Sequence, residues 1–234
     1  MRVSFLLLLA LAGAPASGEI VAVEGPPSTA GAAPEIIAAP ASTADRAPGV
    51  EAWGMVGFDE AQGATLAAPL AVDGGAIPAG TRVDSHMILL NAPGGARVGH
   101  GLGAAGPVVW RFGGEVLGVM SDPAGALEAA SAHLGASATA YPAAFPLRGL
   151  ERDPLDGFDG DDWYRIDGAT LSVGMSVSTP GDWIRVISRS RPEIVAGLDA
   201  RLVSDQAAAG SAPSSQGSSM GRSATRAFSR AASR

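Results

Sequence analysis

The sequence predicts an all-β protein: an antiparallel β-sandwich of jelly-roll type over residues 51–190, with one short helix near 123–134. Three observations lead there. From Trp53 onward short apolar runs recur between Gly and Pro, the punctuation of a sandwich or barrel rather than of alternating β and α units. Gly 32 and Pro 17 in 234 residues, with aromatics at 5%, favour many turns and short elements over long helices. No repeat with a period of 20–50 residues is visible, which disfavours a propeller or solenoid.

Each element has its own signal. Val83, Ser85, Met87 and Leu89 alternate with Arg82, Asp84, His86, Ile88 and Leu90, and Pro93-Gly94-Gly95 marks a turn beyond them. Val108, Trp110 and Phe112 form one face of a further strand, which Gly113-Gly114 separates from a strand over 116–120. The helix is expected to be capped by Asp122, with Pro123 at its first position, an Ala/Leu/Glu-rich body over 124–134 and Gly135 as its stop. The clearest alternation lies in 169–177. There Leu171, Val173, Met175 and Val177 form a face to be buried, and Ser172, Gly174, Ser176 and Ser178 a face to be wet. Thr179-Pro180-Gly181-Asp182 carries Pro and Gly where a type II turn wants them. The run over 183–190 is therefore expected to return as a hairpin, Ile184 and Val186 on one face and Trp183, Arg185, Ile187 and Arg189 on the other.

The ends read differently. Arg2, the apolar run 5–11 and small residues up to Ala16 and Gly18 follow the order of a secretory signal over residues 1–18, too short to span a bilayer. Residues 19–50 are Pro/Ala-rich with isolated Ile36 and Ile37, and are expected to be a disordered linker. Residues 191–234 are expected to be a mostly disordered Ser/Ala/Arg-rich tail, in which Arg222, Arg226, Arg230 and Arg234 recur at i+4 and suit contact with an anionic surface. The chain has no cysteine, which excludes disulfides, thiolate metal sites and thiol nucleophiles. The net charge of −7 hides a segregation, residues 19–200 carrying 10 Arg against 22 Asp and Glu and residues 201–234 carrying 5 Arg against 1 Asp, and the acidic body makes nucleic acid an unsuitable partner for the folded domain.

The runs 78–86 (PAGTRVDSH) and 110–119 (WRFGGEVLGV), with Arg148-Gly149-Leu150-Glu151 and Thr179-Pro180-Gly181-Asp182, resemble a family of uncharacterised exported bacterial proteins. Its members often carry PEP-CTERM-type sorting tails. The resemblance covers roughly residues 75–190 and implies a secreted β-sandwich displayed outside the cell; this chain departs from it in lacking a Pro-Glu-Pro signal and an apolar anchor before the terminal arginines.

The sharpest chemical feature is Asp153, Asp156, Asp159, Asp161 and Asp162, interleaved with Gly157 and Gly160. Hard oxygen ligands on a Gly-containing loop suit Ca²⁺, although the spacing is not that of an EF-hand, and a solvated acidic loop is the competing reading. Trp163 and Tyr164 follow directly and offer a ring for a sugar, although adjacent strand residues point to opposite faces, so at least one packs inward. His86, His100 and His133 accompany many serines, but no Gly-x-Ser-x-Gly elbow marks a nucleophile. Glu151 with the aspartates is the sole carboxylate pairing for glycoside hydrolysis, and aromatics to line a cleft are scarce. The sequence thus predicts a non-enzymatic, exported module, extracellular, on the cell surface or periplasmic. It would act in surface or matrix adhesion, stabilised by Ca²⁺ and binding an extracellular glycan or surface polymer. The alternative is a hydrolase of an extracellular polymer.

Overall fold

The computed structural model describes residues 19–44, 47–144, 146–151, 161–178 and 181–191. The predicted signal, the turn residues Thr179 and Pro180, and the tail from 192 onward lie outside them. In chain order the strands are β1 (Ile20–Glu24), β2 (Glu35–Ile36), β3 (Val56–Asp59), β4 (Ala64–Thr65), β5 (Leu70–Val72), β6 (Gly75–Ile77), β7 (Arg82–Leu90), β8 (Val98–His100), β9 (Val108–Phe112) and β10 (Val116–Met120). Helix α1 (Ala126–Ala130) precedes β11 (Trp163–Asp167), β12 (Thr170–Val177) and β13 (Asp182–Arg189). The chain is mostly β, as expected.

Two sheets carry the architecture. One runs β1-β9-β12-β11, with β8 also paired to β12, and is antiparallel throughout. The other runs β10-β13-β7-β3-β2, with β4 also on β7, and is mixed because β2 and β3 are parallel. β5 and β6 form a separate hairpin. Leu171, Val173, Met175 and Val177 of β12 share one apolar cluster with Trp110 of β9, Ile88 of β7 and Ile184 and Val186 of β13. Alternation at spacing two thus puts one face of each sheet into a common core. Gly57 of β3 makes room in it: a Cβ there would sit 2.6 Å from the Trp110 ring.

The mixed sheet is covered on its other face as well. Val83, Met120, Leu134 and Ile187 pack with Leu70, Val72 and Ile77 of the hairpin, while Val50, Phe58, Met87, Leu89 and Trp183 form a third cluster. That is why β13 is buried from Asp182 to Ser188 and why Arg185 lies inside the protein.

Four expectations need correction. β12 and β13 are not a hairpin: β12 pairs with β8, β9 and β11, whereas β13 pairs with β7 and β10. The chain passes from one sheet to the other, so the apolar residues of the two strands meet face to face in the core instead of edge to edge. The wet face of β12 is buried too, Ser172 and Ser176 included, because Trp163 and Leu102 lie over Gly174 and Asp162 binds the Ser176 amide. The helix is shorter, starting at Ala126. Asp122 does cap it, accepting from the amides of Ala126 (2.7 Å) and Leu127 (2.9 Å), but Pro123 lies in the preceding turn and Gly125 takes the N-cap with φ 62.

The fourth concerns residues 19–50, whose described part is not a linker. β1 pairs with β9, β2 with β3, and Ser42 bridges to Ala140. Ile20 and Val50 are buried, and Ile37 packs on the third cluster. The composition argument assumed that the segment must build a core of its own; instead its few apolar residues join existing clusters and its amides pair with sheet edges.

Candidate functional site

Three carboxylates converge where the chain changes sheets. Glu151 follows Leu150, whose side chain is in the main core and whose amide binds Ser121 O at 3.0 Å. Asp162 immediately precedes β11. Asp182 opens β13, opposite Leu90 of β7. One carboxylate oxygen from each lies within 4.8 Å of the others, and all three side chains are buried. Asp162 is the hinge of the group: Oδ1 accepts from the Ser176 amide (2.7 Å) and Oδ2 from the Glu151 amide (3.1 Å), tying β12 to the segment before β11. Glu151, Asp162 and Asp182 also make further polar contacts within the fold. Two like charges about 4 Å apart repel by about 4 kcal/mol at an effective dielectric of about 20. A buried acidic triad of hard oxygen donors can therefore hold a metal ion, the cation relieving that repulsion.

Of the acidic residues picked out in the sequence, Asp162 belongs to this triad and Asp161 is exposed beside it. Asp153, Asp156 and Asp159 lie outside the described residues. Glu151 was linked to the aspartates only as a carboxylate pairing for glycoside hydrolysis, and Asp182 only as a turn residue. No spacing signals them, since they stand 11 residues before and 20 after Asp162 and meet through the crossing between sheets.

Comparison with family models, curated proteins and solved structures gives no match. The site must be read from its own chemistry.

Trp163 and Tyr164 separate as adjacent strand residues must. Tyr164 faces inward, packs on the main core and donates its hydroxyl to Asp73 Oδ2 at 2.9 Å, a carboxylate that also accepts from Ser121 Oγ at 2.6 Å. Trp163 is half-buried on the outer face, lying over Gly174. Of the pair, Trp163 is the side chain left to meet a ligand.

The histidines are held individually. His86 lies between Asp59 (Nδ1 to Oδ1, 2.7 Å) and Ser188 (Nε2 to Oγ, 2.9 Å), the hydrogen-bond order of an acyl-transfer triad. His86 and Ser188 are wholly buried, however, with Phe112 against the imidazole at 4.8 Å between ring centres. His100 accepts from the Met55 amide at Nδ1 (2.8 Å) and donates from Nε2 to Pro26 O (2.8 Å), clipping two loops to β8 as a neutral imidazole. Burial lowers its basicity, against a smaller opposing effect of the Pro26 bond. His133 is exposed and lines a groove of about 450 Å³ between α1 and residues 66–71.

A second buried charge cluster lies under the mixed sheet. Arg185 donates to both oxygens of Glu60 (2.7 and 2.8 Å), to Glu128 O (2.7 Å) and to Ser131 Oγ (2.7 Å). Glu128 faces Arg185 at 3.2 Å and Arg148 at 3.4 Å. Burial raises the Glu128 carboxyl above its ordinary value, with the two arginines opposing. Burial likewise pushes the Tyr141 phenol up, helped by Glu60. Arg185, Glu60, Glu128, Ser131 and Arg148 are all buried, so this charge cluster serves the fold rather than a ligand.

Proposed function

We propose that the protein is an exported, non-catalytic β-sandwich of jelly-roll type that binds an extracellular glycan or surface polymer. In this reading Ca²⁺ at Glu151, Asp162 and Asp182 stiffens the binding face. The observation that carries it is one of adjacency: Asp162, a buried carboxylate of the triad that could hold an ion, and a half-buried indole, Trp163, are consecutive residues at the head of β11, an edge strand of its sheet. An ion there would fix the start of the strand that presents the ring. The signal-like order of residues 1–18 and the resemblance to exported bacterial proteins support the location. Among the described residues no helix is long and apolar enough to cross a membrane. For the hydrolase alternative, the Asp59–His86–Ser188 relay is disfavoured by the complete burial of Ser188, since a nucleophile must reach a substrate, and Glu151 and Asp162 of the carboxylate pairing are buried as well.

The test is thermal unfolding of the full chain in ~10 mM Ca²⁺ and in EDTA at matched ionic strength. With the millimolar affinity usual for extracellular modules, binding to the folded state alone adds about 1 kcal/mol. Asp162→Asn and Asp182→Asn should each abolish the Ca²⁺-dependent increment. Identical unfolding in Ca²⁺ and EDTA would leave a structural acidic triad and remove the metal from the proposal.

A further inference from the structure

We propose that the outer face of the five-stranded sheet is a shallow binding track for an extended acidic glycan, laid along β12 with its carboxylate on Arg165 and a sugar ring on Trp163. The inference rests on the carbohydrate reading above and names the ligand class.

Register defines the track. Directly opposed residues of antiparallel strands point to the same side. Trp163 pairs with Gly174; Arg165 with Ser172, which pairs in turn with Val109; and Asp167 with Thr170, which pairs with Arg111. The intervening rows, Tyr164 with Val173 and Val108, and Ile166 with Leu171 and Trp110, point the other way, and the buried ones belong to the main core. Along β12 the open part of this face offers Thr170 and Ser172, since Gly174 lies under Trp163 and Leu102 and Ser176 is buried. These two small side chains form a floor about 7 Å long at the usual strand rise, with Trp163 at its end. Trp163, Arg165 and Asp167 stand along one side of it and Val109 and Arg111 along the other.

Three features of this face point to a ligand. Gly174 is the residue that allows the indole to lie down on the sheet, since a Cβ there would be 2.5 Å from Trp163 Nε1. A half-buried indole held against a sheet offers its remaining surface to the apolar face of a sugar. Ser172 is 9% exposed, and its hydroxyl makes no hydrogen bond among the described residues although it points into the floor of the track. A hydroxyl with no partner inside the fold is available to a ligand hydroxyl. Arg165 is exposed and forms no ion pair among the described residues, whereas Arg111 across the track is matched by Glu24 at 2.5 Å. The uncommitted cation is thus the one beside the indole, and it calls for an anion there. Asp167, two residues along the same edge, places the negative end of the face away from Trp163, which fixes where a carboxylate is seated. A linear polymer of uronic acids presents a ring face, hydroxyls and a carboxylate in one repeat, and so engages all three groups together.

The experiment uses the full chain, short polygalacturonate oligomers and the same oligomers with their carboxyls reduced to alcohols, titrated by calorimetry at low salt in Ca²⁺ and in EDTA. The acidic oligomer should bind at least tenfold more tightly than the reduced one, with an affinity that falls as salt is raised. Trp163→Ala and Arg165→Gln should each weaken it about tenfold, Ser172→Ala severalfold, and Arg165→Lys should retain part of the preference. Arg165 is exposed, so its variants report on binding without risk to folding. Equal affinity for the two oligomers, with Trp163→Ala still weakening both, would overturn the acidic specificity while leaving sugar binding in place. No binding of either oligomer would overturn both, and binding indifferent to Trp163 and Arg165 would remove the track. None of the substituted residues belongs to the acidic triad, so failure of the Ca²⁺ reading would show separately as identical thermal unfolding of the protein alone in Ca²⁺ and in EDTA, without oligomer.

Discussion

Replacing Arg185 by Met removes the centre of the buried charge cluster. The guanidinium makes four hydrogen bonds of 2.7–2.8 Å and stands 3.2 Å from Glu128, and no part of it is exposed. Methionine fills much of the volume but leaves Glu60 and Glu128 facing each other in the interior, with Arg148, 3.4 Å from Glu128, as the nearest described compensating charge. Breaking a buried ion pair from one side costs about 3–5 kcal/mol. For a domain of this size that is a fall in Tm of about 6–20 °C. The loss must also depend on pH. Burial raises the Glu128 carboxyl in the folded state while Arg185 and Arg148 hold it back, so losing Arg185 raises it further. A carboxyl whose folded-state pKa is raised contributes stability that is fully present below its unfolded value, near 4.5, and lost as pH rises through the folded value. The Arg185→Met deficit relative to the parent should therefore be larger at pH 7.5 than at pH 5. Urea unfolding of both proteins at the two pH values reads it directly, and the comparison cancels every other titration they share. Removing the stranded charge as well, in Arg185→Met/Glu60→Leu, should recover part of the loss. A deficit below about 1 kcal/mol, or one of equal size at both pH values, would refute the view that Arg185 neutralises two buried carboxylates.

Three shorter expectations accompany it. Val173→Ala opens a cavity between the sheets and should cost about 1–3 kcal/mol, whereas Ser176→Ala, whose backbone amide and not its hydroxyl is held by Asp162, should stay within about 0.5; chemical denaturation separates them. Gly57→Ala forces a methyl group to within 2.6 Å of the buried Trp110 ring and should lower stability by about 1–3 kcal/mol, with altered near-ultraviolet dichroism. His100 is neutral in the fold with its basicity lowered by burial, so the unfolded chain binds the proton more readily; stability should fall as pH drops below about 6.5, and His100→Gln should flatten that fall in a pH series of melting curves.

The strands were legible wherever a residue's own side decided its burial. The alternations at 83–89, 108–112 and 171–177 were read correctly because period-two patterns report one buried face whatever the partner strand. What those patterns do not report is whether the opposite face is covered. The serines of β12 were assigned to a wet side and Arg185 to a face either partly covered or left as a contact surface, and they are inside because the hairpin, α1, residues 47–52 and residues 136–141 cover one sheet and Trp163 and Leu102 the other. Nor does a turn signal reveal which sheet the next strand enters. Pro180 and Gly181 suit a hairpin and an arch between sheets alike, and the choice is made by β7, whose eight-residue pairing with β13 from Asp182–Leu90 to Arg189–Val83 outweighs any contact β12 offers. The candidate site followed the same rule: Asp162 was visible as part of a local cluster, while Glu151 and Asp182 are brought to it by topology alone.

The misread crossing is also what gives the acidic triad its place in the architecture. Had β12 and β13 formed a hairpin, Asp182 would have capped a surface turn. Because β13 belongs to the mixed sheet and β12 to the antiparallel one, Asp182 is fixed by β7 and Asp162 by the amides of Ser176 and Glu151, so their meeting point spans both layers. A cation there would cross-link the two sheets at the head of β11 rather than decorate a loop. Its stabilisation would then fall on the separation of the two sheets at that end, and the edge strand carrying Trp163 and Arg165 would be the first segment to gain protection. Hydrogen exchange distinguishes this from a loop-bound ion. With the metal bound between the sheets, Ca²⁺ should slow exchange at the amides of Trp163, Ser176 and Trp183 together, on strands that do not pair with one another across the layers. Protection confined to the residues around Asp161 would place the ion on the loop and detach it from the binding face.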